Sequence, residues 1–101
     1  MQMVLEDSTL RLGGAFDVRS TSVVREVLHL LIEEGGVIVV DLSEVEAVDL
    51  TALRLLAVAT RRATRAGGRL VMRGCGPSVC RMMHISRMAR QLEFERELRA
   101  A

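Results

Sequence analysis

Three places in this sequence hold residue types that could do chemistry. Asp49-Leu50-Thr51 sets a carboxylate two residues before a hydroxyl, directly ahead of a helical pattern. Thr51 is there either a helix cap or an exposed hydroxyl that another protein modifies. Asp41, Glu44, Glu46 and Asp49 form an acidic cluster around the same point. Such oxygens suit Mg²⁺, and a strand-end aspartate suits phosphoacceptor chemistry. That chemistry normally has a lysine partner, and all fourteen basic residues here are Arg. The plainer reading is a solvated acidic loop in which Asp49 or Thr51 caps the helix, and no metal is expected. Cys75 and Cys80, in "CGPSVC", form a candidate redox pair. Their spacing is neither the C-x-x-C redox motif nor half a zinc site, so two unlinked thiols are the default.

Composition removes several classes of chemistry. Without Lys there is no Walker lysine, Schiff-base lysine or Ser-Lys pair. His29 and His84 fit no ligand spacing and read as structural. No G-x-G-x-x-G pattern cradles a phosphate. With no Trp or Tyr and only Phe16 and Phe94, base-stacking nucleic-acid modules are disfavoured. The expectation is a non-enzymatic protein without cofactor or metal that does not bind nucleic acid. Apolar runs such as "VIVV" are too short to span a bilayer, and Glu6 and Asp7 interrupt any signal peptide. A cytoplasmic, soluble protein without direct membrane insertion is therefore expected. Charge is split: residues 1–50 hold three Arg against ten acids, and residues 51–101 eleven Arg against three acids. In one compact domain this predicts an acidic side and a basic side that steers charged partners.

The elements that must position these residues follow from periodicity. "MVLED" and "TLRLG" read as two strands joined by a tight turn at Asp7-Ser8. "GGAFD" reads as a loop. Ser20, Thr21 and Ser22 offer caps to a helix whose Val24, Val27, Leu28 and Leu31 share one face. Gly35-Gly36 ends it. "VIVVDL" reads as a strand buried on both sides, and "SEVEAVD" as a loop. Over residues 51–66, Ala52, Leu55, Leu56, Ala59, Ala63 and Ala66 form a core stripe; Arg54, Val58, Arg61 and Arg65 form an outward one. Gly67-Gly68 stops the helix. "RLVMR" is a strand, and Pro77 opens another helix at a position where its missing N–H costs nothing. "MARQLEFERELRA" is a helix, or a short strand followed by a tail. The architecture is a single α/β domain over 1–101: a sandwich of helices on a mixed β-sheet with an opening hairpin.

This order resembles the STAS domain family, the fold of bacterial anti-sigma factor antagonists. "GAFDV" at 14–18 is similar to the family's G-x-(L/F)-D-x. "VIVVDLSEVEAVD" at 37–49 resembles its central strand and D-(L/F)-(S/T)-x-V-x-x-(I/V)-D loop. "AGGRLVMRGCGPSVCRMMHIS" at 66–86 resembles its helix end, strand and following helix. The resemblance covers nearly the whole chain. Phosphorylated members end the loop in D-S-(S/T)-G, whose third residue accepts phosphate from a partner kinase. Asp49 takes the acid position and Thr51 the phosphoacceptor position, while Leu50 and Ala52 replace the Ser and Gly.

The resemblance implies an anti-sigma factor antagonist, regulating transcription by binding an anti-sigma factor with a histidine-kinase-like ATPase fold. Its partner-binding residues would be Asp17, Asp49, Leu50, Thr51, Ala52, Arg54, Val58 and Arg61, switched by phosphorylation of Thr51. Asp17 would touch partner or nucleotide, or else cap the first helix. The alternative within the resemblance is a STAS subunit regulating an ABC-type membrane transport complex. Those subunits tend to carry D-T-A-G, with Thr directly after Asp, whereas Leu50 intervenes here.

Overall fold

A computed structural model describes residues 1–95. The elements are β1 (Gln2–Glu6), β2 (Thr9–Phe16), α1 (Thr21–Glu34), β3 (Val37–Val48), α2 (Leu50–Arg65), β4 (Arg69–Arg73), α3 (Pro77–Ser86) and a 3₁₀ turn, Ala89–Gln91. The strands lie in chain order in one sheet. β1 and β2 form an antiparallel hairpin, and β2–β3 and β3–β4 are parallel pairs. Parallel neighbours need a crossover, supplied by α1 and then α2. Both crossovers step the same way across the sheet, so right-handed connections put both helices on one side.

The buried side of the sheet is Leu10 and Leu12 of β2, Ile38, Val40 and Leu42 of β3, and Leu70 and Met72 of β4. They cluster with Val24, Leu28 and Leu31 of α1, Leu53 and Leu56 of α2, and Val79 and Met83 of α3. Burying one such side chain contributes about 1.5–3 kcal/mol before chain entropy is counted. The opposite side carries Arg11, Asp41 and Arg73. Asp41 is buried and lies 3.6 Å from the Arg11 guanidinium. Burial pushes the Asp41 carboxyl up, but bonds from Ser43 and the Arg11 charge outweigh this and hold it below its ordinary value.

Four expectations need correction. The "GGAF" run is strand, because β2 continues through Phe16. The "SEVEAV" run is strand too, because β3 continues through Val48. Its register against β2 slips twice: Arg11 pairs Asp41 but Gly13 pairs Glu44, and Gly14 pairs Val45 but Ala15 pairs Ala47. Each slip inserts one extra residue in β3, a bulge. The buried positions there are consequently Leu42, Val45 and Val48, three apart, which masks strand alternation. Ala66 is exposed, since it follows the last residue of α2 as its C-cap. The described part of the closing stretch, residues 88–95, is neither a helix nor a plain strand. After the 3₁₀ turn, Phe94 makes one parallel bridge to Met72, with Met72 N–H donating to Glu93 O and Glu95 N–H to Met72 O, both at 2.7 Å. The tail expected beyond it, residues 96–101, lies outside the described residues.

The two Gly-Gly pairs do more than end helices. A Cβ on Gly68 would stand 2.4 Å from Gly36 O, the oxygen that also accepts the Arg69 N–H at 3.1 Å. The pair therefore lets β3 and β4 start side by side.

Candidate partner-binding surface

Parallel pairing of β2 and β3 brings their C-terminal ends to one edge of the domain. Phe16 pairs with Val48, so Asp17 and Asp49 leave the sheet at the same level. Asp49 has extended backbone and caps α2: its Oδ1 accepts the Ala52 N–H at 2.8 Å. Its Oδ2 accepts the Val18 N–H at 2.9 Å. One carboxylate thus closes the helix N-terminus and fixes the β2–α1 connection. Of the two expected caps for α2, the structure selects Asp49.

Thr51 is left without that task. It sits at the second position of α2 with an exposed side chain. Its hydroxyl makes no hydrogen bond among the described residues. Leu50 beside it is 40% exposed. Ala52 is a correction: its side chain is fully buried, so its part is the N–H given to Asp49 and not a contact to a partner.

Asp17 does not cap α1. The N-cap is Ser20, whose N–H and hydroxyl both donate to the Asp17 carbonyl. The Asp17 carboxylate accepts from the Arg19 guanidinium at 2.8 and 3.2 Å and from the Arg19 N–H at 3.0 Å. The guanidinium bonds first, and the Arg19 N–H next, hold this carboxyl below its ordinary value. Arg19 and Val18 escaped sequence reasoning, because their contacts depend on loop geometry.

Along α2, residues three and four apart share a face. Thr51, Arg54, Val58, Arg61 and Arg65 all lie on the exposed side. Val58 also borders a groove between α1 and α2, with Arg25, His29 and Arg62. Arg61 reaches the 3₁₀ turn, its Nη1 donating to Gln91 Oε1 at 3.4 Å. The surface thus runs from Asp17 and Thr51 along α2 towards the C-terminal end of α3. Its charge is basic along α2, whereas the Arg residues of β4 are matched: Arg69 with Glu93, and Arg73 bidentate with Glu95 at 2.7 and 3.1 Å.

Cys75 and Cys80 are both free, Cys75 half-buried and Cys80 exposed. The Cys80 thiol points to the Cys75 carbonyl at 3.7 Å. Burial, with Cys80 nearby, pushes the Cys75 thiol up to about 11. Among the described residues no three His, Cys, Asp or Glu side chains gather as metal ligands would, and no helix is long and apolar enough to cross a membrane.

A family model described as "Mlab, STAS domain" matches residues 1–98. No curated protein sequence matches. Among solved structures, an anti-sigma factor antagonist from Mycobacterium paratuberculosis is similar with TM-score 0.77 and 18% identity, over 96% of this chain and 85% of that one. The unphosphorylated anti-sigma factor antagonist SpoIIAA is similar with TM-score 0.74 and 18% identity, over 95% and 88% of the two chains; a phosphorylated Bacillus SpoIIAA is similar too, with TM-score 0.68 and 17% identity, over 95% and 91%. The murine Solute Carrier 26 family member A9 anion transporter contains a similar unit, TM-score 0.65 and 17% identity, over 75% of this chain but 13% of that one. At these identities the likeness is one of fold.

Proposed function

From the premise that this chain belongs to the STAS domain family, we propose that it is an anti-sigma factor antagonist: a partner-binding regulator without catalysis of its own. It binds an anti-sigma factor of the histidine-kinase-like type and thereby releases a sigma factor. The observation that carries this reading is the division of labour at the start of α2. Asp49 makes the internal bonds, and Thr51 stands exposed beside Leu50, Arg54, Val58 and Arg61.

Phosphorylation of Thr51 by that partner is the switch in this reading. First-turn N–H groups and the helix dipole tolerate a phosphate. The group adds roughly −1.5 to −2 charges at pH 7. Placed in an interface it meets acidic partner groups and leaves charge buried without a mate. A loss of about 3 kcal/mol weakens binding more than a hundredfold. Asp17 and Arg19 lie at the rim of the same edge.

Candidate anti-sigma kinases with ATP test this directly. Phosphate mapped to Thr51 by mass spectrometry, absent in Thr51→Ala and abolishing the complex, supports the antagonist. In the complex, Arg54→Glu weakens binding while the fold survives; unchanged binding moves the interface off α2.

A second reading is a STAS subunit regulating an ABC-type membrane transport complex. What supports a membrane-transport role is that a similar unit lies within an anion transporter; the ABC-type complex is the proposal's own step. Stable binding to a transport ATPase, independent of any kinase, would establish this reading and remove the first.

A further inference from the structure

Arg87 holds a backbone conformation that its residue type disfavours. It caps the C-terminus of α3 with φ 61 and ψ 24. Its N–H returns to His84 O at 3.2 Å and the Met88 N–H to Met83 O at 3.1 Å. This is a helix stop that glycine normally supplies without penalty. Among the described residues the other non-glycine with positive φ is Asp7, in a hairpin turn where Asp is ordinary. At position 87 a costlier residue places a guanidinium where glycine would place nothing.

Arg87 lines a groove of about 570 Å³ between the end of α3 and the 3₁₀ turn, with Met83, His84, Ala89, Arg90 and Gln91. The size suits a few side chains of a ligand. Buried Met83 and half-buried Ala89 give the wall an apolar part. No carboxylate lines the groove among the described residues. The nearest acids in sequence, Glu93 and Glu95, are bound to Arg69 and Arg73. Through Gln91 and Arg61 the groove is continuous with the outward stripe of α2.

We infer that this groove is a second contact site of the domain and receives an acidic, partly apolar segment of its protein partner, with Arg87 and Arg90 holding the carboxylates. The inference rests on the reading of the chain as a protein-binding regulator. It adds where a second contact forms and what chemistry it takes. Guanidinium groups grip carboxylates through paired N–H donors. A compact anion such as free phosphate is a poorer occupant, because it leaves the apolar wall at Met83 and Ala89 unfilled. A segment with spaced acids and an apolar anchor uses both kinds of wall.

The test is an NMR titration of the full chain with a synthetic amphipathic Glu/Leu peptide. The parallel arms are the same peptide with Lys for Glu, inorganic phosphate, and phosphatidylglycerol vesicles. The expected result is saturable amide shifts within 83–91, stronger at low salt and absent with the Lys peptide. Arg87→Gly and Arg90→Ala should each weaken the peptide about fivefold, while Arg87→Gly keeps or raises Tm. Missing shifts, equal binding of the Lys peptide, or unchanged binding by both variants overturns the inference. Phosphate or vesicles capturing the same amides in place of the peptide overturns it in favour of a phosphate site. The titration needs neither an anti-sigma factor nor a modified Thr51, so its failure is separable from failure of the antagonist reading.

Discussion

The backbone N–H of Val18 donates to Oδ2 of Asp49 at 2.9 Å, across 31 residues of sequence. The other oxygen of that carboxylate takes the Ala52 N–H at 2.8 Å. Removing it therefore costs two bonds in different parts of the chain. Asp49→Ala is expected to lose about 2 kcal/mol, from one helix cap and one tertiary hydrogen bond. Tm should fall by roughly 8–16 °C. Asp49→Asn offers only one acceptor oxygen and should lose about half as much. Equal losses for the two variants, measured by thermal melts, would show that the carboxylate does not serve both ends.

Thr51→Ala should be close to neutral for stability, within about 0.5 kcal/mol, because the residue is exposed and Asp49 already caps the helix. A cap would cost about 1 kcal/mol when truncated. Urea denaturation of the two proteins separates these values. Thr51→Glu should also remain folded, since acids suit a first helical turn, yet bind the partner at least tenfold more weakly.

Much of this arrangement was legible in the sequence. The stripe of α1, the Gly-Gly stops and Pro77 at the start of α3 each rest on one local rule with nothing opposing it. The second half of β3 was not legible. Its two bulges space Leu42, Val45 and Val48 by three, and intervening Ser43, Glu44 and Glu46 imitate a loop. At the candidate site, the outward stripe of Arg54, Val58 and Arg61 on α2 was legible because helical spacing needs no tertiary information, whereas the singling out of Asp49 and Leu50 as partner contacts rested on the family resemblance. The tie to Val18 was not legible, since any backbone N–H looks the same in a sequence. Ala52 was misplaced for a related reason: a residue next to an exposed one on a helix can point fully inward.

Acid should destabilise the domain in a defined window. Asp17, Asp41 and Glu95 all have folded values below the ordinary 3.8 for Asp and 4.5 for Glu. For Glu95 the Arg73 guanidinium is the main cause. The unfolded chain therefore binds protons first as pH falls. The contribution is complete above the ordinary values and is lost as pH drops through the lowered ones. Tm should be nearly flat from pH 7 to 6 and decline below about pH 5. Glu95→Gln and Asp41→Asn should each flatten that decline. A Tm that rises on acidification would contradict the sign.

The two thiols should differ in reactivity. With the Cys75 thiol near 11, roughly one molecule in a thousand carries its thiolate at pH 8. Cys80 is exposed. Iodoacetamide at pH 8 should label Cys80 at least tenfold faster, read by mass spectrometry of quenched samples. Mild oxidation then decides the redox pairing: two thiols still titratable after oxidant remove it.

The tethering of Asp49 bears on time as well as on stability. Its bonds leave the Thr51 hydroxyl outside the internal network, so a group attached there has nothing to unfasten. Lids and domain rotations take microseconds to seconds to rearrange. A mark written on Thr51 would be readable as soon as it is made. The delay before release would then belong to the partner's dissociation, with no refolding of this domain in between.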